Sequence, residues 1–369
     1  MIYDTSGMVI SEPLDNQGRA ASRVYDVSGK QLFGKKEWGF VPRHVVYDGT
    51  VITDALIANA TSQRNALLAQ YNQSDDAIPF FIETDAHGSG RCNDGNKLCQ
   101  NLAEPIMGHI ANFQLGDWAS FYSNGANAEL HHWDSFGIVN YIPAIGNHEL
   151  LANDSASAPI ADLSVLVDSF TPYHRILGSS TYGYYKVMDA RYRVKYLVFQ
   201  PHIVVPKTVD SSGFLFKMLS DQWEWGIREM EANDGYDIVI VNHEPFPGTY
   251  TDRSSGNSVV LGSLEGKMNF TPVLKARKAK QAGVAIDGDG NEHEYDFTEC
   301  NTDILCGFYG HIHAEGYAEK SEFGFPAYYG DDFDSSGKCA YGLIDRDGGK
   351  LYIYSFSKTE LNDPLVLDL

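Results

Sequence analysis

Asp237-Ile238-Val239-Ile240-Val241-Asn242-His243-Glu244-Pro245 is the stretch on which the fold turns. An aliphatic run without polar alternation reads as a strand buried on both faces, and this one stops abruptly at a polar cluster closed by proline. Ile78–Ile82, Gly137–Ile145, Tyr196–Phe199 and Ile304–Tyr309 have the same character, and each runs into polar residues. Helical stretches lie between them. Ile52–Tyr71 keeps Ala55, Leu56, Ala58, Leu67, Leu68 and Tyr71 broadly on one face. Ser220–Ala232 carries Trp223 and Trp225 at a spacing of two, so they face different ways and one of them anchors the core. Thr271–Ala282 opens with Thr271 as N-cap and Pro272 in the first helical position. Two closing strands, Tyr341–Ile344 and Leu351–Phe356, flank the hairpin signal Arg346-Asp347-Gly348-Gly349. Strands alternating with helices predict an α/β class.

Residues 1–50 differ in character. Ile2-Tyr3-Asp4, Val24-Tyr25-Asp26 and Val46-Tyr47-Asp48 recur at a constant step of 22, and two of them continue to Ser-Gly. Strand followed by turn chemistry predicts a β-hairpin extension over 1–50, an attachment or assembly contact, ahead of a catalytic domain over 51–369. The 369 residues suffice for a sizeable core without staples. A net charge of −21 repels long polyanions and argues against nucleic acid as partner. No apolar stretch reaches membrane-spanning length, so the chain is expected to be soluble, cytoplasmic by default, with a virion-associated or extracellular setting as the alternative. Cys92, Cys99, Cys300, Cys306 and Cys339 lack zinc-knuckle spacing and are expected to be free, mostly buried thiols, with a Cys92–Cys99 pair as the oxidised alternative.

Five polar clusters carry the chemistry: Asp85-Ala86-His87, Gly116-Asp117, Gly146-Asn147-His148-Glu149, Asn242-His243-Glu244-Pro245 and Gly310-His311-Ile312-His313. Four of the five follow a strand-like run, and in open α/β folds the loops at strand carboxyl ends are where ligands gather. A spacing of two puts Asp85 and His87, and likewise His311 and His313, on one side of an extended segment. Carboxylate, imidazole and amide oxygen without thiolate suit Mn, Fe or Zn. Two such ions about 3.5–4 Å apart clamp and polarise a phosphate and activate a water, which makes a hydrolytic pair more natural than a structural zinc.

In order and spacing, these clusters resemble the five signature blocks of the calcineurin-like metallophosphoesterase superfamily, from about Ile78 to Phe356. The resemblance implies a four-layer α/β/β/α sandwich of two mixed sheets flanked by helices. It also implies that Asp85, His87 and His313 hold one ion, that Asn147, His243 and His311 hold the other, and that Asp117 bridges them. His148 would protonate the leaving alkoxide, with Glu149 supporting its position. The residue at position 87 places the chain with the Asp-x-His branch. Ser120 stands where the tyrosine-ligated purple enzymes carry their ligand, and Tyr122 is out of register, so no tyrosinate colour is expected. Thr84-Asp85-Ala86-His87 and Tyr295-Asp296-Phe297-Thr298 are also similar to phage and prophage phosphoesterases.

The implied activity is hydrolysis of a phosphoester by in-line attack of a water bridging the two ions, with a phosphodiester placed ahead of a monoester. The substrate would be a small-molecule or cell-surface phosphoester. A scaffold or virion structural protein that keeps the fold, and a nuclease, are the alternatives. His44, His109, His174 and His293 lack a partner motif and read as surface or satisfied residues. His131, His132 and His202 are candidates for the cleft mouth, and Asp331-Asp332-Phe333-Asp334 reads as a solvated acidic turn.

Overall fold

The computed structural model describes residues 54–74, 76–87, 111–118, 141–150, 184–200, 218–261, 269–331, 338–357 and 361–369, with the backbone of short strands elsewhere. Two mixed sheets dominate. The first has six strands, in the spatial order Leu365–Asp368, Lys350–Phe356, Cys339–Asp345, Ala77–Glu83, Ala111–Gln114, Tyr141–Pro143. The second has eight: Tyr185–Asp189, Val194–Val198, Asp237–Asn242, Ile304–Tyr309, Ala327–Tyr329, Gly316–Ala318, Gly248–Asp252, Ser258–Leu261. In each sheet three neighbouring strands run parallel, Ala77–Glu83 through the edge strand Tyr141–Pro143 in one and Val194–Val198 through Ile304–Tyr309 in the other.

Alternation inside the aliphatic runs sets the layers. Val239 and Val241 point into a core shared with Ile78, Phe80, Ile82 and Phe113, so the sheets pack face to face. Ile238 and Ile240 point the other way, onto Trp223, Trp225, Met230, Val273 and Leu274 from helices Ser220–Glu231 and Thr271–Lys278. Helix Asp54–Gln73 lies against strand Cys339–Asp345, where Gln70 and then Ser74 donate to the Asp345 carboxylate at 2.9 and 2.8 Å. The result is an α/β/β/α sandwich. Among the described residues no helix is long and apolar enough to cross a membrane.

Several expectations need correction. Ala55 and Ala58 are exposed and Leu67 is buried, so the first helix is held by a narrower apolar contact than its pattern suggests. Both tryptophans anchor the core, because Trp223 packs edge-on to Phe270 while Trp225 meets Phe199 and Tyr184. Thr271 is not the cap: its hydroxyl donates to the Pro247 carbonyl at 2.7 Å, and Phe270 precedes the helix. That helix stops at Lys278, and Ala282 already starts a strand. Cys300 and Cys306 are free and buried, as expected, whereas Cys339 is disulfide-bonded and not the free thiol that its spacing suggests. Cys92 and Cys99 lie outside the described residues.

Within residues 1–51 the backbone forms three antiparallel pairs: Ile2–Tyr3 with Val9–Ser11, Arg23–Tyr25 with Gln31–Gly34, and Val46–Tyr47 with Thr50–Val51. Each recurrence of the Tyr-Asp motif therefore ends the first strand of a pair. In the first two, Tyr3 faces Val9 and Tyr25 faces Gln31, with the same irregularity one residue earlier.

Candidate metal centre

All the candidate ligands sit at the carboxyl ends of five parallel strands. Asp85 and His87 follow Ala77–Glu83, Asp117 follows Ala111–Gln114 and Asn147 follows Tyr141–Pro143; His243 and His311 follow the two central strands of the other sheet. Backbone bonds stitch these loops together: Asp85 N–H donates to Gly116 O at 3.0 Å, His87 N–H to Asp117 O at 2.8 Å, and Gly310 N–H to His243 O at 2.9 Å.

Backbone strain marks the same residues. Asp85, His87, Asp117, His311 and His313 have φ of 53°, 48°, 51°, 71° and 49°, and Arg193 and Lys280 are the other described non-glycine residues with positive φ. Each such residue costs roughly 1–2 kcal/mol, and strain of this kind persists where function requires it. Gly116 and Gly146 permit the close approach. A Cβ on Gly116, itself at φ +91°, would lie 2.5 Å from His243 Nδ1, and one on Gly146 would lie 2.5 Å from the Asp117 backbone nitrogen.

The side chains converge in two overlapping sets. Asp85, His87 and His313 bring their donor atoms within 4.8 Å of one another, as do Asp117, His243 and His311. Asn147 Oδ1 stands 3.0 Å from His311 Nδ1 and 3.3 Å from His243 Nε2. Asp117 lies between the sets, its Oδ2 3.2 Å from His243 Nε2 and 3.9 Å from His148 Nε2, while its Oδ1 accepts the His148 backbone N–H at 2.8 Å. His148 packs edge-on to His87 with ring centroids 4.4 Å apart, and His87, Asp117 and His148 form a third close group.

The fit to a cation can be tested on His243. Its Nδ1 is 2.5 Å from the Leu115 carbonyl, which only accepts, so that nitrogen carries the proton and Nε2 faces inward. Inward lie Asp117 Oδ2 at 3.2 Å, Asn147 Oδ1 at 3.3 Å and Asp85 Oδ1 at 4.0 Å. Asp85 Oδ1 is buried, accepts no hydrogen bond among the described residues, and sits 3.1 Å from His313 Nε2. Electron-pair donors facing one another in a buried space are what a dication requires, and the carbonyl behind His243 is the usual orienting partner of a metal-bound imidazole. The residues fit.

Titration behaviour in the protein alone agrees. Burial opposes charge on His243, yet Asp117 and then Asp85 outweigh it and raise its pKa well above the usual value, so positive charge is favoured at this point. Burial likewise opposes ionisation of Asp117, but His243 beside it holds the carboxyl far below the normal range. Desolvation first, and then the neighbouring His243, push the half-buried His311 down to about 4, and desolvation also lowers His87.

Three supporting groups carried no assigned role from the sequence. Thr84 Oγ1 donates to Asp85 Oδ2 at 2.5 Å, and the His311 N–H donates to the same oxygen at 3.0 Å. The Leu115 carbonyl is a backbone group without any side-chain signature. Glu244 is buried, and burial first, with Asp117 adding to it, pushes its carboxyl up to about 8. Glu149 accepts from Gly146 N at 2.8 Å and Asp117 N at 2.9 Å, tying the Asn147 loop to the Asp117 loop.

His293 pairs with Asp287 at 3.0 Å and Asp331 with Lys338 at 3.1 Å. His44, His109, His131, His132, His174, Ser120, Tyr122 and positions 332–334 lie outside the described residues, as does the side chain of His202.

No family profile and no curated protein matches the chain. Solved structures similar to it include a conserved uncharacterized protein, a predicted phosphoesterase, from Streptococcus pneumoniae, at 10% identity and TM-score 0.34 over 79% of this chain and 98% of that one. A 5'-nucleotidase precursor from Thermus thermophilus aligns at 12% identity and TM-score 0.35, over 79% of this chain and 54% of that one. The sulfate thiohydrolase SoxB of Thermus thermophilus, in complex with glycerol, aligns at 8% identity and TM-score 0.35, over 79% of this chain and 56% of that one. The chain thus spans little more than half the length of the last two.

Proposed function

We propose that the protein is a dinuclear-metal-dependent phosphoester hydrolase of the calcineurin-like type, in the Asp-x-His branch, with residues 51–369 as the catalytic domain and 1–50 as an attachment module. The observation that supports this most strongly is the position of Asp117, a buried carboxylate between a donor set on one side and a second on the other. Asp85, His87 and His313 would hold one ion; Asn147, His243 and His311 the other; Asp117 would bridge. Two ions of Mn, Fe or Zn, when bound, supply charge for the phosphoryl oxygens and an activated water.

The chain's own residues do the rest. Leu115 O fixes the His243 tautomer, and Thr84 and the His311 N–H fix the Asp85 rotamer, so the cage needs little reorganisation when loaded. His148 is half-buried at the edge of the cage and its backbone N–H is anchored on Asp117. From there it would give a proton to the leaving oxygen of an ester, a contribution of about 10²–10⁴ in rate. Glu149 acts through the backbone of Gly146 and Asp117, which positions both the donor and the bridge.

Release of nitrophenol from mono- and bis-(nitrophenyl) phosphate by metal-replete protein, beside a single-stranded DNA substrate, tests the reading. Turnover of the small esters that is lost in His148→Ala and Asn147→Ala is expected, with the diester ahead. Unchanged turnover in either variant would refute the mechanism. Cleavage of DNA alone would make the protein a nuclease.

A further inference from the structure

Outside the metal centre, hairpin 282–296 combines an open hydrogen-bonding edge with an exposed apolar row. Strand Ala282–Ile286 pairs with Glu292–Asp296 in unbroken antiparallel register, and among the described residues neither belongs to a larger sheet. The direction of every backbone group follows from two bonds beyond the ladder. Phe297 N–H donates to Gln281 O at 3.1 Å and Asp287 N–H to Asn291 O at 3.0 Å, so the odd-numbered residues of the first strand bond inward. The N–H and C=O of Ala282, Val284 and Ile286 consequently point away from the hairpin. On the opposite edge the equivalent outward group is occupied, because Asp296 N–H donates to Glu231 Oε1 at 2.8 Å from helix Ser220–Glu231. One edge is engaged at Asp296; the other has no backbone partner among the described residues.

The free edge is also the apolar one. Ala282, Val284 and Ile286 put their side chains on the outer face, where Val284 and Ile286 are 53% and 63% exposed. The inner face is committed: Ala285 is buried, and His293 stacks on Trp223. Edge strands are ordinarily blunted by a charge, a proline or a bulge, and Ala-Gly-Val-Ala-Ile has none of these.

We infer that strand Ala282–Ile286 is a self-association edge, across which two copies of the chain pair antiparallel about Val284 to make one four-stranded sheet. The occupant follows from symmetry and charge. With Val284 on the dyad, Ala282 of one copy faces Ile286 of the other, and each copy offers the same outward N–H and C=O groups, so the surface is its own complement. The acidic residues Glu292, Glu294 and Asp296 lie on the outer strands of that sheet. Three strand spacings, about 14 Å, separate the two acidic rows, beyond the screening length of about 8 Å at physiological salt. They therefore oppose pairing little, while a basic foreign strand on the free edge would sit two spacings from them and gain little. A strand pair of this length buries less than the roughly 1,200 Å² of a standard interface, so the dimer is weak and concentration-dependent.

Val284→Pro is the discriminating variant. Its lost N–H points outward, so every bond inside the hairpin is kept while the edge is blocked. Light scattering and sedimentation of the full chain over a wide concentration range should show a monomer–dimer equilibrium in the wild type and a monomer throughout for Val284→Pro, with an unchanged melting midpoint. Should that variant fail to fold, Ile286→Lys, which alters no backbone group, takes its place with the same expectation. A wild type that is monomeric at every concentration, or a folded edge variant that dimerises as the wild type does, overturns the inference.

Discussion

The two ends of the sandwich handle charge in opposite ways. At the amino ends of the strands, Arg346 donates to Asp237 Oδ2 at 3.0 Å and also to Asp76 and the Tyr192 carbonyl, closing both sheets with a guanidinium whose partners are all acceptors. At the carboxyl ends, Asp85, His87, Asp117, Asn147, His243, His311 and His313 turn their polar atoms toward one another, on backbone that is strained at five of these seven positions. At one end the acceptors find their donor in the chain itself; at the other, on the proposed reading, cations would take that part. A fold can tolerate such a cage when the rest of the packing over-determines it, and here the stitched loops and the clamp at the far end do so.

Substitutions at the two ends are expected to act differently. The largest effect belongs to Asp117→Asn, which should lower turnover by about 10³ and remove bound metal while leaving the fold intact. Circular dichroism with elemental analysis checks this, and a variant that still binds a full metal complement would contradict the bridging role. Chelation should lower the melting temperature of the wild type and leave that of Asp117→Asn almost unmoved, because only a protein that binds metal in its folded state is stabilised by it. Gly116→Ala should cost about 1–3 kcal/mol of stability and weaken metal binding, since its Cβ would press on the His243 ring. Denaturant titration reads the first effect and metal titration the second. Arg346→Met should cost about 1–3 kcal/mol through the acceptors it leaves unmatched, yet spare kcat. Equal losses of stability and turnover there would mean that the two ends are coupled.

The contrast also explains what the sequence reveals. The convergence of the candidate ligands was legible because four of the five clusters follow a strand-like run such as Ile238–Val241, and parallel strands deliver their carboxyl ends to one edge. The layers follow from the same runs, through alternation that buries both faces. Long-range partners left no such trace: Arg346 meets Asp76, Tyr192 and Asp237 only after folding, and no spacing announces it. Backbone groups are silent too, which is why the Leu115 carbonyl behind His243 had no signal. Helix Thr271–Lys278 misled because Ala279–Ala282 continues its composition, whereas tertiary pairing with Glu292–Asp296 takes Ala282 into a strand. Glu149 could be placed near His148 by adjacency, but its bonds to Gly146 and Asp117 required the two loops to meet.

On the proposed reading, the cage around Asp117 holds two cations. Metal stoichiometry by elemental analysis, on protein reconstituted with Mn and freed of excess, tests it most directly. Two ions per chain in the wild type, falling in Asp117→Asn, is the predicted result; no bound metal in the wild type, or the same content in both proteins, would contradict it.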